Sequence, residues 1–150
     1  MCGLRNVEKE AEMIANVLTG ACLLTCTVTD IRKRMIYPLL LLPFYIAGIM
    51  WQLMSRGRGV MDIAGGVFTG IVLLITSHLT RGKIGAGDGL IFIVTGVLLG
   101  TLENIRLLTM ASVLSAVFSI VLLITRRCGR NAELPFAPFI FAAFIMGIVL

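Results

Sequence analysis

Two aspartates, Asp30 and Asp88, stand where long apolar stretches end and begin, and they are the acidic residues of this chain best placed to do chemistry. An ionisable group at membrane depth is costly and marks a functional site by default. Two carboxylates sharing one proton can hydrolyse a peptide. The ionised member takes a proton from water while the protonated member polarises the scissile carbonyl. Such a pair titrates as a unit. The same two groups could instead relay protons or cations through a small transporter, or simply mark helix ends beside basic residues. Residue type and spacing leave all three readings open.

Asp88 lies in Lys83-Ile84-Gly85-Ala86-Gly87-Asp88-Gly89. Three glycines around one aspartate permit positive φ and close backbone approach, so a tight turn formed by Gly85, Ala86 and Gly87 is expected to present the carboxylate. Asp30 is followed by Arg32, Lys33 and Arg34.

The elements that position these residues follow from composition. Of 150 residues 58% are hydrophobic and only 14% charged, against about 25% charged in soluble domains. The mean hydropathy is +1.00. So short a chain cannot enclose that much apolar surface in water. Uncharged stretches run Met13–Thr29, Met35–Ser55, Ile63–Thr80, Gly89–Leu102, Leu107–Thr125 and Leu134–Leu150. A spanning helix needs about 17–25 residues, which five of the six supply. The fourth must tilt, borrow flanking residues or lie inside the bundle. The expected fold is an all-α membrane protein, a six-transmembrane-helix bundle forming one domain over residues 1–150.

Basic residues orient it. The connections after helices 1, 3 and 5 hold Arg32, Lys33, Arg34, Arg81, Lys83, Arg126, Arg127 and Arg130. The opposite face holds Arg5, Lys9, Arg56, Arg58 and Arg106, together with Glu8, Glu10, Glu12, Asp62 and Glu103. The first set is expected in the cytoplasm, which makes both termini extracytoplasmic and puts Asp30 and Asp88 at the cytoplasmic face. The first twelve residues mix basic residues with three glutamates and precede no small-residue cleavage site, so the first apolar run is read as a retained helix.

The net charge of +5 is spread in small groups without a basic, aromatic-interleaved stripe, which excludes a nucleic-acid partner. Cys2, Cys22, Cys26 and Cys128 form no C-x-x-C pair, and His78 is the one histidine, so no metal or cofactor is expected. Asp62 and Glu103 read as helix-end groups, and His78 as an ordinary polar residue near the end of helix 3. Glu133 could attract a basic peptide. Gly66-x-x-x-Gly70 and Gly96-x-x-x-Gly100 suit close helix packing within the bundle, and they leave the oligomeric state open.

Gly85-Ala86-Gly87-Asp88 resembles the G-x-G-D signature of intramembrane aspartic proteases, and its surroundings are similar to the type IV prepilin peptidase branch. In that family the first aspartate precedes a basic, proline-containing segment, here Asp30-Ile31-Arg32-Lys33-Arg34-Met35-Ile36-Tyr37-Pro38. The apolar run Gly89 to Gly96 matches its fourth helix, and Leu134-Pro135-Phe136-Ala137-Pro138-Phe139 its P-F-x-P-like last helix. The resemblance implies that Asp30 and Asp88 are the catalytic pair, with Gly85, Ala86 and Gly87 as the active-site loop. It further implies a metal-independent endopeptidase of the bacterial inner membrane, cutting the short basic leader from prepilin-like precursors at the cytoplasmic face.

The chain departs from the family pattern at Tyr37 and Pro38, where proline and asparagine are usual, and at Leu90, where many members carry lysine. Larger members have a cysteine-rich region associated with methylating the product; no paired cysteines stand here, so a minimal peptidase without methyltransferase activity is expected. A proton- or cation-coupled transporter and an inactive peptidase-like assembly partner remain the alternatives.

Overall fold

The computed structural model describes residues 2–33, 38–55, 59–80, 85–125 and 136–149. Arg34, Tyr37, Arg56, Arg58, Arg81, Lys83, Arg126, Arg127, Cys128, Arg130, Glu133 and Pro135 lie outside them, as do the side chains of Cys2, Arg5, Glu8 and Lys33.

The described residues form six helices: α1 Cys2–Lys33, α2 Pro38–Ser55, α3 Val60–Leu79, α4 Ala86–Leu99, α5 Thr101–Ile124 and α6 Ala137–Val149. Three segments are long and apolar enough to cross a membrane, Glu12–Arg32, Val60–Leu79 and Thr101–Ile124. The other three apolar helices are shorter. The chain is thus an all-helical membrane protein. Helices outrun the uncharged stretches: α1 continues through Lys9, Glu10 and Glu12, and α5 starts six residues before Leu107. Backbone hydrogen bonding does not stop where charge begins, and Glu103 and Arg106 form an i,i+3 ion pair of 2.7 Å on the first turns of α5.

α4 is the interior helix. It packs against α1, α2, α3 and α5, and Ile91, Phe92 and every residue from Val94 to Leu99 are buried. At about 1.5 Å per residue its 14 residues reach only ~21 Å. This explains how so short an apolar run is accommodated: its neighbours, rather than lipid, surround it. The core gathers Cys22, Leu23 and Cys26 of α1, Leu41 of α2, Phe92 and Leu98 of α4, Leu107 and Ala111 of α5, and Ile140 and Phe144 of α6. Cys22 and Cys26 are free thiols inside it.

α3 and α4 meet backbone to backbone. A methyl group added at Gly66 would sit 2.5 Å from the Gly96 carbonyl oxygen, and one at Gly70 would sit 2.5 Å from the Ile93 nitrogen. Small residues therefore serve packing within the chain. Gly100 differs from that expectation. It is the turn between α4 and α5, with φ +82° and ψ −175°. Asn104 locks the same region: its amide donates to the Gly66 and Phe92 carbonyls, both at 3.0 Å, and its oxygen accepts from Thr95 Oγ1 at 2.7 Å.

Candidate active site

Asp30 lies one turn before the end of α1 and is buried, 8% exposed. A lone buried carboxylate must find a donor, and the first turn of α6 supplies it. There Pro138 has no N–H, and Phe139 and Ile140 close back on the Phe136 carbonyl at 3.0 and 3.2 Å. The remaining orphan donor of that turn, the Ala137 N–H, reaches across to Asp30 Oδ2 at 3.2 Å. Thr27, one turn earlier on α1, donates to the Ala137 carbonyl at 3.3 Å as well as to the Leu23 carbonyl at 2.7 Å. Both polar groups of one buried alanine are thus engaged by α1.

Asp88 is the third residue of α4 and is half-buried. Its N–H donates to the Gly85 carbonyl at 3.1 Å, closing the first turn. The expected loop of Gly85, Ala86 and Gly87 is corrected: Ala86 and Gly87 are already the first residues of α4, and Gly85, its capping residue, has φ −61° and ψ 120°, values open to any residue. Gly100 is the positive-φ glycine among the described residues. What Gly85 supplies is room. A Cβ there would lie 2.9 Å from Asp88 Oδ2, against the carboxylate itself. Gly89 likewise lets α4 pass Leu74 of α3, whose Cγ would be 2.7 Å from an added Cβ.

The last turns of α1 and the first turn of α4 thereby bring Asp30 and Asp88 to one end of the bundle, close enough for their charges to interact. Two carboxylates at one end of the bundle that differ in burial and in hydrogen-bonded partners can divide acid and base roles.

The other candidates lie apart from this end or point away. His78 and Arg32 are exposed. Leu90, at the lysine position of the resemblance, packs on the core. Pro38 opens α2, where a missing N–H costs nothing. Asp62 does cap a helix, but not its own. Its Oδ1 accepts from the Thr101 N–H of α5 at 2.9 Å, and its carbonyl accepts from Thr101 Oγ1 at 2.5 Å. Among the described residues no three metal-ligating side chains cluster. Two features escaped the sequence reading. The Ala137 N–H is a backbone group, hinted at only by its place between prolines, and Asn104 is a neutral amide hidden between Glu103 and Arg106.

Comparison with known proteins follows the same stretch of chain. The sequence profile of the type IV leader peptidase family matches residues 17–124, which include both aspartates. The prepilin leader peptidase/N-methyltransferase of Bacillus subtilis (strain 168) is 29% identical over 139 residues, 90% of this chain and 55% of that protein. The chain therefore spans about half the length of this curated relative. No solved structure gives a significant match.

Proposed function

The chain belongs to the type IV leader peptidase family, and from that premise we propose that it is an intramembrane aspartic endopeptidase removing the basic leader of prepilin-like precursors, with Asp30 and Asp88 as its catalytic pair. The observation that carries this reading is the convergence of the two carboxylates at one end of the bundle, one of them held by the first turn of α6.

In the proposed reaction one carboxylate accepts a proton from water as the water attacks the scissile carbonyl. The other donates its proton to the carbonyl oxygen, and the tetrahedral intermediate then collapses with protonation of the leaving amine. Neither a metal nor a cofactor is required. Gly85, which caps α4, and Ala86 and Gly87, its first two residues, set where Asp88 sits. Six spanning helices, extracytoplasmic termini and a cytoplasmic-face site in the bacterial inner membrane complete the proposal, supported by the distribution of Lys and Arg between the two ends. We assign peptidase chemistry alone to these 150 residues, which carry no paired C-x-x-C motif.

Co-expression with a candidate prepilin tests the proposal, the precursor mass being read alongside Asp30→Asn and Asp88→Asn. Cleavage by the parent, lost in both variants at normal membrane abundance, is the expected result. Cleavage that survives either substitution refutes the paired-aspartate mechanism.

A further inference from the structure

At the end of the bundle opposite the aspartates, α1, α5 and α6 separate around a cavity of about 750 Å³. That is within the roughly 300–1,000 Å³ of ligand clefts. Its lining is mostly apolar, including Met110, Val113, Phe144 and Ile148, with Glu12, Asn16, Glu103, Arg106 and Thr109 as its polar members. A second cavity of about 510 Å³ shares Glu12, Asn16, Phe144 and Ile148 with the first and adds Lys9. The two are therefore one continuous crevice. Glu12 and Asp30 are 18 residues apart on α1, about 27 Å along the axis, so the crevice opens into the far leaflet.

We propose that this crevice holds one phospholipid with a zwitterionic, primary-amine headgroup. The argument is charge complementarity above an apolar wall. Glu12, Glu103 and Arg106 line the first cavity and Lys9 and Glu12 the second, two carboxylates and two cations in all, so the site is neutral overall and favours a zwitterion over an anionic lipid. Arg106 is bound to Glu103 through Nη1 alone. The guanidinium carries five N–H donors, and in the proposed complex the others bind the lipid phosphate as a fork. The exposed Glu12 carboxylate can accept an N–H. A primary ammonium offers three, whereas a trimethylated one offers none. The acyl chains would lie along Met110, Val113, Phe144 and Ile148, where the bilayer already supplies them.

Gly147 gives a clean test, because it lines the crevice and a Cβ there meets nothing within 4 Å. Gly147→Leu projects a bulky side chain into the crevice from a position where its Cβ is unobstructed. The measurement is native mass spectrometry of the purified chain titrated with phosphatidylethanolamine, phosphatidylcholine or phosphatidylglycerol of identical acyl chains. Phosphatidylethanolamine is expected to saturate at one bound copy, retained roughly tenfold better than the other two, the ratio one charge-assisted hydrogen bond provides. Glu12→Gln is expected to erase the preference, Arg106→Gln to weaken retention, and Gly147→Leu to abolish the single saturable copy while leaving the thermal midpoint unchanged. Equal retention of the three lipids, preference for phosphatidylglycerol, or undiminished binding by Gly147→Leu overturns the proposal.

Discussion

The carboxylate of Asp30 accepts a hydrogen bond from the backbone N–H of Ala137, 107 residues away in sequence, and this joins the end of α1 to the start of α6. The bond separates two roles of one side chain, as ligand of the α6 turn and as a member of the proposed catalytic pair. Asp30→Asn retains a side-chain oxygen for Ala137 and is expected to lose peptidase activity with little loss of stability. Asp30→Leu leaves a buried N–H without a partner and is expected to cost a further ~1–3 kcal/mol. Thermal unfolding of both variants in detergent, set beside the cleavage assay, checks the separation. Equal stability of the two would refute it.

Gly85→Ala tests how tightly the loop governs Asp88. The backbone at Gly85 suits alanine, so the helix and membrane abundance should be unchanged. The added methyl displaces a carboxylate that would otherwise lie 2.9 Å from it. A misplacement approaching 1 Å is expected to slow cleavage by up to about 100-fold. The rate of leader removal by Gly85→Ala, normalised to protein amount, is the measurement, and a parental rate would refute the role.

The α3–α4 contact predicts a contrast between glycines. Gly66→Ala and Gly96→Ala force backbone against backbone, where no rotamer change gives relief, and each should destabilise the protein by about 1–3 kcal/mol. Gly147→Ala, with open space around it, should be neutral or gain roughly 0.5–1 kcal/mol from improved helix propensity. Denaturation midpoints of the three rank them.

Gly100 combines a φ of +82° with ψ near 180°, a region essentially reserved for glycine and costing other residues about 1–3 kcal/mol. An added Cβ would also crowd the Asp62 carboxylate. Gly100→Ala should therefore destabilise more than Asp62→Ala, which forfeits only a helix cap worth ~0.5–2 kcal/mol. The two variants and their double mutant form a thermodynamic cycle, with non-additivity expected because the residues touch.

Much of this arrangement was legible beforehand, for physical reasons that differ by element. Uncharged runs located all six helices, because apolar length is a strong constraint in a bilayer. Asp30 and Asp88 stood out because charge at the edge of such runs is expensive. Helix starts were less visible. Lys9 and Arg106 read as connections, yet they are helical surface, whereas Glu103 does stand at a helix end, in the first turn of α5. The partner of Asp30 was hidden because a backbone N–H has no letter of its own. Asn104 sat among charges that attracted more attention than its amide. The glycines beside Asp88 permitted positive φ or close approach, and among the described residues positive φ occurs at Gly100 instead, since glycine content alone does not distinguish a need for torsional freedom from a need for space.

The contact of Gly66 with Gly96 has a mechanical meaning. It fuses α3 and α4 into one plate that carries Asp88, while the Thr27 and Asp30 bonds to Ala137 fuse α1 and α6 into another that carries Asp30. Packed interfaces of this kind shift as units rather than deform continuously. Under the proposed pairing of Asp30 with Asp88, a relative shift of the two plates changes the gap between the carboxylates.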